Sequence, residues 1–180
     1  TIRALKMHGG MEKAALGTEN PAAVKAGGSN LARHVENVKT FGVAPVVAIN
    51  RFVSDTDAEV AEVRAICDSL GVPVVLCTHW ADGGAGTEEL ARKVVELAES
   101  GKSAFQPLYP DDMRLWDKAK TIAQKIYRAT DIIADKVVRD RFAEFEKAGY
   151  GSYPICMAKT QYSRSEEHTS ELQSRGLISY

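Results

Sequence analysis

Residues 43–77 read VAPVVAINRFVSDTDAEVAEVRAICDSLGVPVVLC, and this stretch decides the fold. Its two ends, VAPVVAIN (43–50) and PVVLC (73–77), are short apolar runs rich in β-branched residues. They do not alternate with polar residues, which suits strands buried on both faces of a parallel sheet. Between them, Thr56-Asp57-Ala58-Glu59 has the capping-box pattern, in which the Thr and Glu side chains each satisfy a free backbone amide. Val60, Val63, Cys67 and Leu70 then recur at spacings of three and four, the stripe of a helix with one buried face. Gly71 tolerates the left-handed geometry that ends a helix. Strand, helix and strand of these lengths make a βαβ unit, whose crossover is expected to be right-handed.

The same alternation extends outward. Thr1–Leu5 reads as the remnant of a preceding strand. A helix is expected from about Ser29, with Leu31, Val35 and Val38 buried and Gly42 as its stop. A further helix is expected from about Thr87 to Ser100, burying Leu90, Val94 and Leu97. Residues 1–104 are therefore expected to be α/β, part of a doubly wound parallel sheet. GKSAFQPLYP (101–110) has Gly, two Pro and no helical period, so it reads as a connection. Residues 105–163 are expected to begin a second, smaller α/β segment. Its first helix would be capped by Asp111 or Asp112 and bury Leu115, Ala119, Ile122 and Ile126. Its second would bury Val138, Phe142 and Phe145 and end at Gly149, and Pro154–Ala158 would form a strand. Residues 164–180, RSEEHTSELQSRGLISY, lack an apolar period. Their beginning matches the translation of a common sequencing adapter, so the tail is expected to be non-native.

Composition narrows the function classes. The 180 residues carry a formal net charge of -1, and nothing in it suggests a nucleic-acid or membrane surface held by charge alone. No apolar run is long enough to span a bilayer. Cys67, Cys77 and Cys156 are widely spaced, odd in number and set in apolar stretches. This points to buried thiols in a reducing compartment, hence a cytoplasmic protein, and away from a disulfide framework or a zinc site.

In open α/β sheets, ligands bind outside the carboxyl ends of the strands. Three segments are expected there: Lys6 to Gly10, Asn50-Arg51-Phe52, and Thr78 to Gly86. Loops at strand ends are usually polar, so Phe52 and Trp80 stand out as a pair that can sandwich a flat heterocycle. On the residues alone the plainer reading is that each merely covers the sheet edge, since aromatics are mostly packing residues. Gly83, Gly84 and Gly86 precede a helix, where backbone amides can meet an anion, or can simply make a tight turn. His8, His34 and His79 have no ligand-like spacing, so no metal site is expected. His8 and His79 remain weak polar candidates; Lys6 and Lys159 are possible anion partners. No catalytic triad can be argued from residue order.

At these same loops the sequence resembles formate–tetrahydrofolate ligase. The resemblance runs through TIRALKMHGG (1–10), TEN (18–20), NLARHVENVKTFGV (30–43) and PVVAINRFVSDTDAE (45–59). It continues through CTHWADGGAGTEELA (77–91), KAKTIAQKIY (118–127) and GYGSYPICMAKTQYS (149–163). It implies a fold of the P-loop nucleotide-binding type and a homotetramer. It also implies an enzyme that couples formate, ATP with Mg²⁺, and tetrahydrofolate to give 10-formyltetrahydrofolate through formyl phosphate. Phe52 and Trp80 then match the aromatics that sandwich the pterin ring, with Asn50 beside them. Thr78 and His79 match the segment that lines the nucleotide base, and Gly83 and Gly84 in the following turn join them as nucleotide-binding candidates. The chain contains no G-x-x-x-x-G-K-[ST], the loop that would cradle the ATP phosphates, so this segment alone is expected to be inactive. Arg128 stands where the family commonly has Gly, so the turn after Tyr127 is expected to differ. Two other readings compete: a non-catalytic folate- or nucleotide-binding module, and a P-loop relative that uses an ATPase cycle for assembly or switching.

Overall fold

A computed structural model describes residues 1–157. The chain forms two compact units, Thr1–Phe105 and a second beginning at Gln106. The first is a mixed helix-and-strand unit around a small parallel sheet.

Its centre follows the sequence reading. Strand β1 (Val47–Asn50) pairs in parallel with β2 (Val74–Cys77), in a register that sets Val47 against Val74 and Asn50 against Cys77. Helix α3 (Asp57–Ser69) joins them. Its capping box is formed: the Glu59 amide donates to Thr56 Oγ1 (3.3 Å) and the Thr56 amide to Glu59 Oε2 (3.1 Å). Val60, Val63 and Cys67 are buried and Leu70 packs against them. β1 is shorter than VAPVVAIN suggests, because residues 43–46 do not pair. Ala48 is exposed, so β1 is not covered on both faces in the described chain.

Residues 1–5 are not a strand. They enter helix α1 (Ile2–His8), capped by Thr1, whose hydroxyl accepts from the Ala4 amide (3.3 Å). The β-branched pair Thr1-Ile2 favours a strand, but Arg, Ala, Leu, Lys and Met are good helix formers. Ile2, Leu5 and Lys6 fall on one face, at the spacing a helix needs.

Helix α2 (Pro21–Thr40) starts well before Ser29. Asn20 caps it, accepting from the Ala23 amide (2.9 Å), and Pro21 occupies the first turn, where a missing amide costs nothing. Gly27 and Gly28 sit inside this helix because other elements press against it. A Cβ on Gly27 would lie 1.9 Å from the Leu5 carbonyl oxygen, and one on Gly28 2.6 Å from Ile66 Cδ1. The expected stripe is only partly right: Val35 is buried, Leu31 half-buried and Val38 exposed. Ile2, Val24, Val35, Ile49, Val60, Val63, Cys67 and Val72 make one core in which α1, α2 and α3 meet the sheet.

Helix α4 (His79–Asp82) is a single turn after β2, and helix α5 (Glu88–Glu99) follows. None of the α5 residues is buried; Leu90 and Leu97 are half-covered and Val94 is 48% exposed. The helix is amphipathic, as its spacing predicts, but among the described residues its main neighbours are β2 and the glycine turn before it.

The second unit holds helix α6 (Leu115–Lys125) and helix α7 (Lys136–Phe145), the latter continuing into a wider turn over Glu146–Tyr150. Neither Asp111 nor Asp112 caps α6. The Leu115 amide instead donates to Glu146 Oε1 (2.8 Å), a partner 31 residues away that no local pattern reveals. Leu115, Ala119 and Ile122 are buried as expected and Ile126 is half-buried. Phe142 is half-buried against Trp116 in an edge-to-face contact (5.6 Å), whereas Phe145 is exposed. Lys118 is fully buried, and its ammonium donates to the carbonyls of Asp111 (2.7 Å), Gly151 (2.8 Å) and Tyr153 (3.0 Å). Residues 154–157 do not form the expected strand; Ile155 bonds instead to the Tyr109 hydroxyl (2.9 Å), and Ala158 lies outside the described residues. Cys156 is exposed, while Cys67 and Cys77 are buried. Lys159 and the tail at 164–180 also lie outside the described residues. No described helix is long and apolar enough to cross a membrane.

The turn after Tyr127 places Arg128 at φ 56, a left-handed conformation that glycine adopts without penalty. Arg128→Gly is therefore expected to stabilise the chain by about 1 kcal/mol, after the greater unfolded-state freedom of glycine is deducted. Urea denaturation checks this; an unchanged or lower midpoint would show that the Arg128 side chain outweighs the strain.

Candidate functional site

β1 and β2 end level with each other, so the residues after Asn50 and after Cys77 leave the sheet on the same edge. Adjacent strands lie about 4.8 Å apart, which puts the two loops side by side. The Arg51 amide extends the pairing one step, donating to the Cys77 carbonyl (3.1 Å). The Arg51 side chain turns away to Asp57 (3.0 Å).

The Phe52 loop is closed by two reciprocal bonds. The Phe52 amide donates to Asp55 Oδ2 (2.8 Å), and the Asp55 amide donates to the Phe52 carbonyl (3.0 Å). Asp55 is 4% exposed, so this clamp is shielded from water. Val53, at the tip of the turn, is 99% exposed. Phe52 itself is half-buried, and the Arg3 guanidinium carbon lies 5.4 Å from its ring centroid.

The second loop is also fixed by its backbone. The Thr78 amide donates to the Gly86 carbonyl (3.0 Å), while the Thr78 carbonyl accepts from Ala81 and Asp82 (2.9 Å each). Gly86 has to be glycine here: a Cβ would sit 2.5 Å from the Thr78 carbonyl carbon and 2.6 Å from the His79 nitrogen. This holds Thr78 half-buried and raises His79 and Trp80 on the turn of α4, with Trp80 79% exposed. Among the described residues no ring contact joins Phe52 to Trp80. Two aromatic side chains on neighbouring loops, not collapsed onto each other, can receive a flat ring between them.

Gly83 and Gly84 are exposed in the tight turn that leads to α5, and the Gly84 carbonyl accepts from the Thr87 hydroxyl (3.0 Å). The first turn of α5 carries Glu88 and Glu89, whose charges already face the positive end of that helix.

Two earlier candidates lie elsewhere. Lys6 is not in a site loop: it is fully buried in α1 and paired with Glu59 Oε1 (2.8 Å). His8 Nδ1 lies 2.9 Å from the Asn30 side-chain amide nitrogen. Its pKa is lowered, first by burial and then by the charges of His34 and the chain's amino terminus. Among the described residues no group of three His, Cys, Asp or Glu side chains could hold a metal ion. Sequence reasoning missed Arg3 and Asp55. Asp55 had a local signal, an Asp three residues after the aromatic, which is the spacing of a side chain that closes a turn. Arg3 had none, being 49 residues from Phe52.

A family model described as formate–tetrahydrofolate ligase matches residues 1–177. The chain is 61% identical over 167 residues to a formate–tetrahydrofolate ligase of Sphingobium sp., covering 93% of this chain and 30% of that protein. It is 60% identical over 167 residues to one of Rhizobium etli, covering 93% and 30%. One of Ruegeria pomeroyi is 60% identical over 163 residues, covering 91% and 29%. The chain thus spans about 30% of the length of the curated relatives it matches.

Proposed function

Since the chain belongs to the formate–tetrahydrofolate ligase family, an enzyme family, we propose that it contributes the folate-binding side of an ATP-dependent formate–tetrahydrofolate ligase. The observation that carries this reading is the pair Phe52 and Trp80 on adjacent loops at one edge of a parallel sheet. In this reading the two rings stack on the pterin, and Asn50 lines the edge of the same slot. The clamp between Phe52 and Asp55 and the Thr78–Gly86 bond set the spacing of the slot before the ligand arrives.

The reaction runs in two displacements. A formate oxygen attacks the γ-phosphorus of ATP and ADP leaves, giving formyl phosphate. N10 of tetrahydrofolate then attacks the formyl carbon, phosphate leaves, and N10 loses its proton. Such phosphoryl transfer depends on positioning and charge stabilisation. The contribution of this chain is to hold the pterin so that N10 faces the formyl group. Thr78, His79, Gly83 and Gly84 would lie toward the nucleotide. The doubly wound sheet of P-loop type, the homotetramer and the cytoplasmic location belong to the same proposal.

Folic acid titrated into the 180-residue chain is expected to quench Trp80 emission. Trp80→Phe retains Trp116 and serves as the control for absorption by the ligand, so only the difference between the two proteins counts. Equal quenching in both would sink the assignment of Trp80. No formyl transfer is expected from this segment alone.

A further inference from the structure

Two arginines lie near the Phe52 loop, and they differ. Arg51 is bound to Asp57 at 3.0 Å. Arg3 is exposed, and among the described residues no carboxylate lies within ion-pair distance of it. It stands in the first turn of α1, which contains no acidic residue. A cation there faces the positive end of the helix, an unfavourable place for it. What Arg3 does contact is the Phe52 ring, 5.4 Å from guanidinium carbon to centroid. At 5.4 Å the guanidinium is too far from the centroid to cover the ring squarely, so part of that face stays open and the N–H donors lie near the edge of a ring stacked there.

We infer that Arg3 is a specificity-determining residue of the folate slot, donating to the 4-oxo group of a 2-amino-4-oxo-pteridine stacked on Phe52. This rests on the proposed folate site at Phe52 and Trp80. The partner is the ring oxygen because an arginine held against the stacking platform meets the ligand at its ring. The glutamate carboxylates lie at the far end of the molecule, beyond the aminobenzoyl spacer. Arginine pairs with carbonyl oxygens on heterocycle edges in the same way when it reads guanine. A 4-amino group at that position would turn acceptor into donor and set donor against cation, so the contact discriminates by repulsion as well as attraction.

The test compares folic acid with aminopterin, which differs by carrying 4-amino in place of 4-oxo. Binding is read by Trp80 quenching against the Trp80→Phe control. The 180-residue chain is expected to bind folic acid about tenfold more tightly than aminopterin, the size of one charged hydrogen bond made or lost. Arg3→Ala is expected to bring the two ligands within about twofold of each other, mainly by weakening folic acid. Arg3→Lys, which keeps charge and a donor but not the planar fork, is expected to fall between. A purely structural role for Arg3 would weaken both ligands equally and leave their ratio unchanged, and that result overturns the inference while the folate site stands. Failure of both ligands to quench Trp80 overturns the folate site, and the role of Arg3 with it. Arg3 is exposed, so the variants retain the core of the first unit.

Discussion

Lys118→Met is expected to lower the stability of the second unit by at least about 3 kcal/mol, the largest loss foreseen for any single change in that unit. Lys118 is fully buried and three backbone carbonyls, from Asp111, Gly151 and Tyr153, share its ammonium. The Tyr109 ring adds a cation–π contact at 5.7 Å. Methionine fits the aliphatic stem but offers no donor, so up to three acceptors lose their partner at once. These carbonyls also belong to segments without regular secondary structure of their own, and the ammonium ties them to α6. Urea denaturation followed by Trp116 emission in a Trp80→Phe background isolates this unit. A midpoint close to that of the parent would mean that solvent reaches the carbonyls and replaces the lysine.

Glu59→Gln is expected to cost the first unit about 3–5 kcal/mol at neutral pH. Glu59 Oε1 accepts from Lys6 Nζ (2.8 Å) and from the Asn20 amide (2.9 Å), while Oε2 accepts from the Thr56 amide (3.1 Å). Every neighbour of the carboxylate is a donor. A glutamine amide must therefore set its NH₂ against one of them and leave the buried Lys6 charge uncompensated. Burial by itself pushes the Glu59 carboxyl up. The Lys6 hydrogen bond, the Asn20 and Thr56 amides and the Lys6 charge together bring it below its usual value. A carboxyl depressed in the folded state adds stability above its unfolded pKa of about 4.3, and that stability is lost as pH falls through the folded value. The parent should accordingly lose melting temperature below about pH 4.3, and Glu59→Gln should lose less over the same range. Circular dichroism melts at pH 7, 4 and 3 check both statements, with parallel curves for the two proteins counting against the assignment.

Glu59 also shows where sequence reading succeeds and where it stops. Its bond with Thr56 is local, so the capping box and the β1–α3–β2 unit could be read from a few residues. Its bond with Lys6 spans 53 residues, and nothing in the period of either helix announces it. Lys6, expected in a site loop, is accordingly part of the core. The same limit explains α6, whose first amide is satisfied by Glu146, and Cys156, whose apolar neighbours do not bury it. A five-residue window at 1–5 could not separate strand from helix, because both periods place Ile2 inward. Phe52 and Trp80 stand out in the sequence because aromatics are out of place in strand-end loops. Arg3 does not, because its ring contact joins residues far apart in the chain.

The Phe52 turn has a consequence for how this segment can drift. Its closure uses only the backbone of Phe52 and both backbone and carboxylate of Asp55, while Val53 extends fully into solvent. Position 53 can therefore exchange its side chain with little effect on where the Phe52 ring stands, whereas a change at Asp55 would move the ring without touching it. Mutational freedom and mutational constraint are neighbours here, two residues apart in a single turn.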